Sequence, residues 1–298
     1  MKKILLASTM LVGTAGVAAA DVSFTGAAWT GLSYNVTTST LYPEISALFT
    51  AGMMTTTDGG LEVGASVTTL AAGAVMQKDP GDAQFGTNDW PLTSGVVLGA
   101  SVYMSGSWGR LDIAYDTNAD DNTGPATPGF VATHPGVSAD PDITATYTNT
   151  WGNFDLAVYG VLVPVGSAAT TMGDFGAMGT YNFGDYAVWV AYDYDRSDAP
   201  GQPHTISAGA EASISGFTGA AEVAYNFGNP APFSWAVSAG YETGPYSVEA
   251  FFNSDREYGV EAAYDLGGGV AIEAGFAHSN GVNSPVANVV YGGVSMRF

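Results

Sequence analysis

The chain has 298 residues, with 28 acidic and 7 basic side chains and a net charge of −21 when histidine is neutral. This balance excludes a nucleic-acid partner, since phosphate binding needs clustered Lys and Arg, and the absence of cysteine excludes disulfides and thiol chemistry. Apolar residues make up 46% of the chain and charged residues only 12%, against about 25% charged in a typical soluble domain.

The first twenty residues have the layout of a secretory signal peptide. Lys2 and Lys3 supply the basic start, residues 4–12 the largely apolar run, and residues 18–20 a small-residue cleavage pattern before Asp21. We therefore expect residues 1–20 to be a cleaved signal peptide. Residues 21–298 would then form one domain, because no composition shift marks a boundary within them.

From residue 22 to the end, the sequence alternates between apolar and small or polar residues with a period of two. In residues 186–195 the even positions are apolar or aromatic, whereas the odd positions are small, mixed or acidic. This period is typical of strands with two different faces. Dividing 41–71 or 164–182 differently would give fourteen or eighteen strands, and both numbers stay open. The sixteen segments predicted are 22–35, 41–55, 60–71, 94–105, 107–116, 141–149, 152–163, 173–182, 185–195, 204–215, 217–227, 232–242, 245–253, 257–266, 269–278 and 286–298.

The connections between these segments alternate in length. Tight turns rich in glycine, such as 58–60 and 267–269, alternate with mostly longer polar connections, of which 72–93 and 117–140 are the longest. Beyond the first twenty residues, no stretch of about 18 apolar residues suggests a spanning helix. Short turns at one end and long loops at the other are typical of membrane β-barrels. The predicted fold class is therefore all-β, a transmembrane antiparallel β-barrel of sixteen strands.

Carboxylates within the strands fall in the phase opposite to the apolar residues. A charge on the lipid side of a barrel costs up to about 2–4 kcal/mol at the bilayer midplane, so this phase predicts a lumen lined by acids. A soluble β-sandwich would also alternate, but its outer face should mix both signs of charge. The predicted lumen-facing acids are Glu62, Asp112, Asp155, Glu211, Glu222, Glu249, Glu261 and Glu273.

The two ends of the chain carry a family resemblance. The start, Met-Lys-Lys-Ile-Leu-Leu-Ala-Ser-Thr at 1–9 and Ala-Ala-Ala-Asp at 18–21, and the close, Tyr-Gly-Gly-Val-Ser-Met-Arg-Phe at 291–298, resemble alphaproteobacterial general porins of the Rhodobacter type. The terminal Phe298 resembles the signal that the barrel-assembly machinery reads. The resemblance implies a trimeric porin of sixteen strands.

The same resemblance implies roles for the two longest loops. The third outer loop, 117–140, would fold inward and narrow the channel, and the second, 72–93, would reach toward a neighbouring subunit. Arg110, which shares the lumen phase with Asp112, is the candidate for a basic side of the constriction. The full set of constriction candidates is Asp116, Asp120, Asp121, Asp140, Asp142 and Arg110.

The expected function is a water-filled channel of the Gram-negative outer membrane for passive diffusion of small hydrophilic solutes and ions. Carboxylates in a narrow channel with low-dielectric walls concentrate cations, so cation preference is expected. The expected partners are two further copies of the chain, membrane lipid and lipopolysaccharide. The alternative is a substrate-specific channel, which depends on where Trp29, Trp90 and Trp189 project.

Three further interpretations stay open at this point. An outer-membrane hydrolase would need a nucleophile activated by a base, and the only histidines are His134, His204 and His278. An adhesin or structural anchor would usually bring an additional soluble domain. No cofactor is expected, although Asp120 and Asp121 offer clustered oxygen ligands of the kind that calcium takes in loops.

Overall fold

The barrel is seen in a computed structural model that describes residues 21–74, 96–116, 142–164, 174–194, 204–280 and 287–298. Each strand pairs in antiparallel fashion with the next, and β1 pairs with β16, so the sheet closes on itself. No helix in the described ranges has the length and apolarity needed to cross a membrane. The strands are β1 Asp21–Asn35, β2 Thr40–Thr56, β3 Glu62–Ala74, β4 Val96–Gly106, β5 Gly109–Asp116, β6 Asp142–Trp151, β7 Phe154–Pro164, β8 Phe175–Asn182, β9 Tyr186–Tyr194, β10 His204–Ile214, β11 Phe217–Phe227, β12 Phe233–Thr243, β13 Tyr246–Asn253, β14 Tyr258–Gly267, β15 Val270–Ser279 and β16 Ala287–Arg297.

The structure confirms the predicted all-β barrel and its strand number. Every predicted segment coincides with one strand, and the ends differ by at most three residues. The count is sixteen, not fourteen or eighteen. The alternation located the strands well because one face of each strand is apolar, and a slip of one residue would turn that face inward.

The first and last strands close the barrel. Their register runs from Ala27 opposite Arg297 to Asn35 opposite Val289. Beyond this ladder, the Gly26 N–H donates to the Phe298 carbonyl oxygen at 2.8 Å, and the Phe298 N–H donates to the Gly26 carbonyl oxygen at 3.0 Å. Closure leaves no edge strand with unpaired backbone groups, which a sheet inside a bilayer cannot tolerate.

Glycine makes the tightest turns possible at the end of the barrel where both chain termini lie, called here the turn end. Between β10 and β11, Ser215 and Gly216 both have positive φ, at 51° and 84°. A two-residue hairpin turn with φ positive at both positions matches the twist of the flanking strands. The opposite end, from which the long connections leave, is the loop end.

The two faces of the wall differ in exposure. On β9, Ala187, Trp189 and Ala191 are buried, whereas Val188 and Val190 are exposed at 42% and 56%. Successive residues of a strand point to opposite faces, and the concave side of a closed barrel brings side chains together while its convex side spreads them. The crowded face is therefore the interior, called here the lumen face.

The outer face carries large apolar side chains and two bands of aromatic rings. Phe217 packs on Tyr241 at 4.3 Å between ring centroids near the turn end. Near the loop end, Trp235 lies 5.3 Å from Phe252. Exposed apolar surface of this extent is typical of a wall that faces lipid, with aromatic girdles at its two interfaces.

Candidate channel wall

The strand register places the predicted lumen acids on one continuous face. Residues directly opposite each other on neighbouring strands point to the same side of a sheet. Glu249 is opposite Glu261, and Glu261 is opposite Gly275, which is itself opposite the buried Tyr291. The other predicted acids lie on the same face by the same rule, through these partners: Glu62 with Ser105, Asp112 with Tyr103, Asp155 with Thr180, Glu211 with Ala187, Glu222 with Ala236 and Glu273 with Gly293.

Glu44 on β2 is the most deeply buried acid of the wall, at 2% exposure. The Trp29 Nε1–H donates to its Oε2 at 3.0 Å, and the Ser33 hydroxyl donates to its Oε1 at 2.5 Å. These two bonds hold the Glu44 carboxyl group against β1. Our sequence reasoning missed Glu44, although its phase between Pro43 and Ile45 carried the signal.

Glu44 belongs to an acidic stripe with Glu249, Glu261 and Glu273 on the consecutive strands β13, β14 and β15, from which β16 and β1 separate it. The Tyr291 hydroxyl donates to Glu261 Oε2. The Ser295 hydroxyl donates to Glu273 Oε1 at 2.5 Å. Like charges directly opposite each other destabilise a sheet. The Glu249–Glu261 pair therefore lowers the stability of the barrel, and no packing contact among the described residues accounts for its presence.

Arg110, the candidate for a basic side, lies near the turn end as the second residue of β5. Its Nε and Nη2 each donate to Asp112 at 2.7 Å, in a bidentate pair. Its guanidinium carbon lies 3.6 Å from the centroid of the Tyr103 ring. The charge of Arg110 is therefore compensated within its own strand.

Other wall acids are also held by neutral donors. Asp155 accepts from the Thr150 hydroxyl and the Asn182 amide, each at 2.6 Å. Asp193 accepts from the Tyr159 hydroxyl at 3.0 Å. These bonds come from neutral donors, so they fix each carboxyl group against the wall without adding a positive charge beside it.

The predicted constriction falls mostly outside the described residues. Asp120, Asp121 and Asp140 lie there, as does the third outer loop at 117–140 and all but the first residues of 72–93. Asp116 ends β5 and Asp142 begins β6, and the two are direct backbone partners where that loop leaves the wall. Both backbone positions lie at the loop end of the barrel. Trp90 and His134 are likewise outside the described residues.

The two described histidines lie at the loop end, on the outer face of the barrel, because they are out of phase with the lumen residues of their strands. His204 Nδ1 lies 2.7 Å from the Tyr192 hydroxyl, and His278 Nδ1 lies 2.9 Å from Asn288 Oδ1. Neither bond involves a serine. Within the residues that the structure describes, no three His, Asp or Glu side chains form a group that could hold a metal ion.

A closed barrel with an apolar exterior and a polar, acidic interior defines a transmembrane channel. The chain matches the Gram-negative porin family over residues 7–284. It belongs to that family. No curated protein sequence matches it.

The fold also matches solved porin structures. A variant of the Rhodopseudomonas blastica porin with five substitutions has a TM-score of 0.67 and 19% identity, over 93% of this chain and 100% of that one. A triple mutant of the same porin has a TM-score of 0.66 and 20% identity over the same shares. At this identity the likeness concerns the fold, and the family match identifies the chain as an outer-membrane porin and not an enzyme.

Proposed function

We propose that this porin is a general diffusion channel that prefers cations. The observation that carries the proposal is the imbalance of charge on the described lumen face. The described lumen face carries the acidic stripe and the other wall acids, whereas the guanidinium of Arg110 is paired with Asp112.

The physical reason is that wall carboxylates create a negative potential inside a narrow aqueous path. A channel with low-dielectric walls focuses this potential, so cations are concentrated and anions are depleted. Solutes cross through water without chemical change, and the lining sorts them by size and charge. Because salt screens the wall charges, the preference should weaken as ionic strength rises.

The direct test is a planar-bilayer recording of the purified porin in a KCl gradient. A reversal potential with the sign of a cation-selective channel supports the proposal. It should be larger at 0.1 M than at 1 M mean salt, because the Debye length shortens from about 10 Å to about 3 Å. A reversal potential of zero or on the anion side at low salt contradicts it.

Substrate specificity is the second candidate function, and the described tryptophans do not favour it. A sugar pathway needs aromatic faces open to the lumen, but Trp29 and Trp189 are only 2% and 8% exposed. Liposome swelling separates the two functions. A general channel admits sugars in order of size, whereas a specific channel admits one class faster than its size predicts.

We further propose that residues 1–20 are removed on export, that Phe298 is read by the barrel-assembly machinery, and that three barrels associate in contact with lipid and lipopolysaccharide. The third outer loop at 117–140 would narrow each channel. Mass spectrometry of the mature protein tests cleavage before Asp21. A native gel with and without heating tests the trimer, which should run as one large species only before heating.

A further inference from the structure

Large aromatic side chains on the lumen face repeatedly lie over a glycine of an adjacent strand. Tyr291 on β16 is the direct partner of Gly275 on β15, and Trp189 on β9 is the direct partner of Gly209 on β10. A Cβ atom added to Gly275 would lie 2.3 Å from the Tyr291 hydroxyl oxygen. One added to Gly209 would lie 2.4 Å from the Trp189 ring. Each ring therefore lies flat on the wall in the space that a side chain would fill.

The same arrangement recurs elsewhere around the barrel. Tyr103 on β4 lies over its partner Gly64 on β3, where a Cβ would be 2.3 Å from the ring. Tyr159 on β7 lies over its partner Gly176 on β8 at the same distance. The members of the set, called here the glycine–aromatic pairs, are Gly64–Tyr103, Gly176–Tyr159, Gly209–Trp189 and Gly275–Tyr291.

Trp29 lies on the wall in a similar way, against two glycines. A Cβ on Gly31 would be 2.9 Å from its ring, and one on Gly293 would be 2.7 Å from it. The backbones of these glycines are themselves close, because they are direct partners between β1 and β16. The ring of Trp29 thus covers the seam where the barrel closes.

Most of these flattened rings also bond to a wall carboxylate. Tyr291 donates to Glu261, Tyr159 donates to Asp193, and Trp29 donates to Glu44. Each donor reaches along the wall rather than across the lumen, so the ring and its carboxylate are held together against the sheet.

We propose that the glycine–aromatic pairs keep the lumen wide along the wall, and so contribute to the calibre of the channel beside the narrowing proposed for the third outer loop. Glycine at each partner position leaves room for the ring to lie flat, so a bulky side chain occupies little of the lumen. A ring that cannot lie flat has to lean inward, because the backbone closes the other direction. The inference deepens the proposed diffusion function and rests on it.

Alanine at the glycine is the perturbation that the geometry makes most specific. At Gly64, Gly209 and Gly275, the atoms closest to an added Cβ all belong to the partner ring, with no backbone atom among them. The ring can therefore yield, whereas the strand need not. Gly176 is less suitable, because an added Cβ would also lie 2.8 Å from the Tyr192 carbonyl oxygen.

Single-channel conductance in planar bilayers is the measurement. Gly209→Ala, Gly275→Ala and Gly64→Ala should each lower the conductance, with the largest loss at Gly209 because the indole is the largest ring. Gly99→Ala is the matched control. Gly99 also faces the lumen, opposite Thr68, but its added Cβ would lie 3.4 Å from the nearest atom, an ordinary contact. The conductance of the Gly99→Ala channel should stay at the wild-type value.

Two further variants separate the ring from other causes. With Tyr291→Ala already present, Gly275→Ala should change the conductance no further, because no ring remains to be displaced. Tyr291→Phe should keep the wild-type conductance, since the ring still lies on Gly275 without its hydroxyl bond. A loss in Tyr291→Phe as large as that in Gly275→Ala would overturn the proposal, because the hydroxyl bond and not the glycine would then hold the ring.

Unchanged conductance in all three alanine variants, with heat-modifiable gel mobility showing folded barrels, also overturns the proposal. If one variant does not fold, the other two pairs still decide the matter. Ion selectivity is read from the same recordings and is independent of these losses. An anion-preferring wild type would refute the proposed cation preference while leaving the calibre test intact.

Discussion

Neutralising three acids of the stripe, as Glu249→Gln, Glu261→Gln and Glu273→Gln together, should remove much of the cation preference. The three lie on consecutive strands of the lumen face. Glutamine keeps the size of each side chain and an oxygen that accepts from Tyr291 and Ser295. The substitution therefore changes charge more than packing.

The magnitude follows from Coulomb's law. A cation about 5 Å from a wall charge gains about 0.8 kcal/mol in water, and screening over a Debye length of about 8 Å at 0.15 M leaves about 0.4 kcal/mol. The contributions of three charges total about 1.2 kcal/mol, or roughly an eightfold rise in the local cation concentration, and because anions are depleted by the same factor the cation-to-anion ratio changes by roughly sixtyfold. At 1 M, where the Debye length is about 3 Å, the change in the ratio falls to roughly fivefold.

The assay is the reversal potential in a KCl gradient at both salt concentrations. The control is the triple variant with aspartate at the same positions, which shortens each side chain but keeps its charge and should retain most of the preference. An unchanged permeability ratio at low salt in the glutamine variant would refute the reasoning. Equal losses in the two variants would show that side-chain length, not charge, sets the ratio.

Three stability predictions follow from single contacts, each measured as the free energy of urea unfolding in lipid vesicles. Glu249→Gln alone should stabilise the barrel by about 0.2–1 kcal/mol by relieving the like charge of Glu261 directly opposite, and a loss would contradict this. Glu44→Leu should cost about 1–3 kcal/mol, because it removes the carboxylate that accepts from the buried Trp29 Nε1–H at 3.0 Å; exposed Glu242→Leu is its control and should change little. At Gly269, φ is 80° and an added Cβ would lie 2.0 Å from the Arg297 carbonyl oxygen. Gly269→Ala should therefore destabilise the barrel more than Gly268→Ala, which carries only the left-handed backbone cost of about 1–2 kcal/mol. Equal losses of stability in the two variants would contradict the clash.

The strands were predictable from sequence because lipid imposes a strict alternation. In β9, the exposed Val188 and Val190 alternate with the buried Ala187, Trp189 and Ala191, and this alternation predicts both the strand and which of its faces is outward. No tertiary information is needed, since a polar outward residue in a bilayer costs more than any alternative pairing gains. The same rule predicted sixteen strands, and the closed sheet decided between that number and fourteen or eighteen.

The partners of the wall residues were not predictable in the same way. Arg110 and Asp112 share a phase in the sequence, but their bidentate pair and the Tyr103 ring above it depend on where β4 lies. Glu44 looks like any other strand acid until the strand order brings β1 beside it. Hydrogen bonds between strands depend on the register across them, which alternation within one strand does not set.

By itself, the sequence predicted an exported, acidic barrel of sixteen strands, with fourteen or eighteen left open, because composition and period-two alternation are local properties that the bilayer constrains directly. Only the tertiary structure decided which acids are held by hydrogen bonds, that the charge of Arg110 is compensated by Asp112, and which rings lie flat on the wall. Those outcomes depend on residues from different strands meeting at one height of the wall. The glycines beneath Tyr291 and Trp189 show the difference, since a glycine in a strand becomes informative only when the ring opposite it is known.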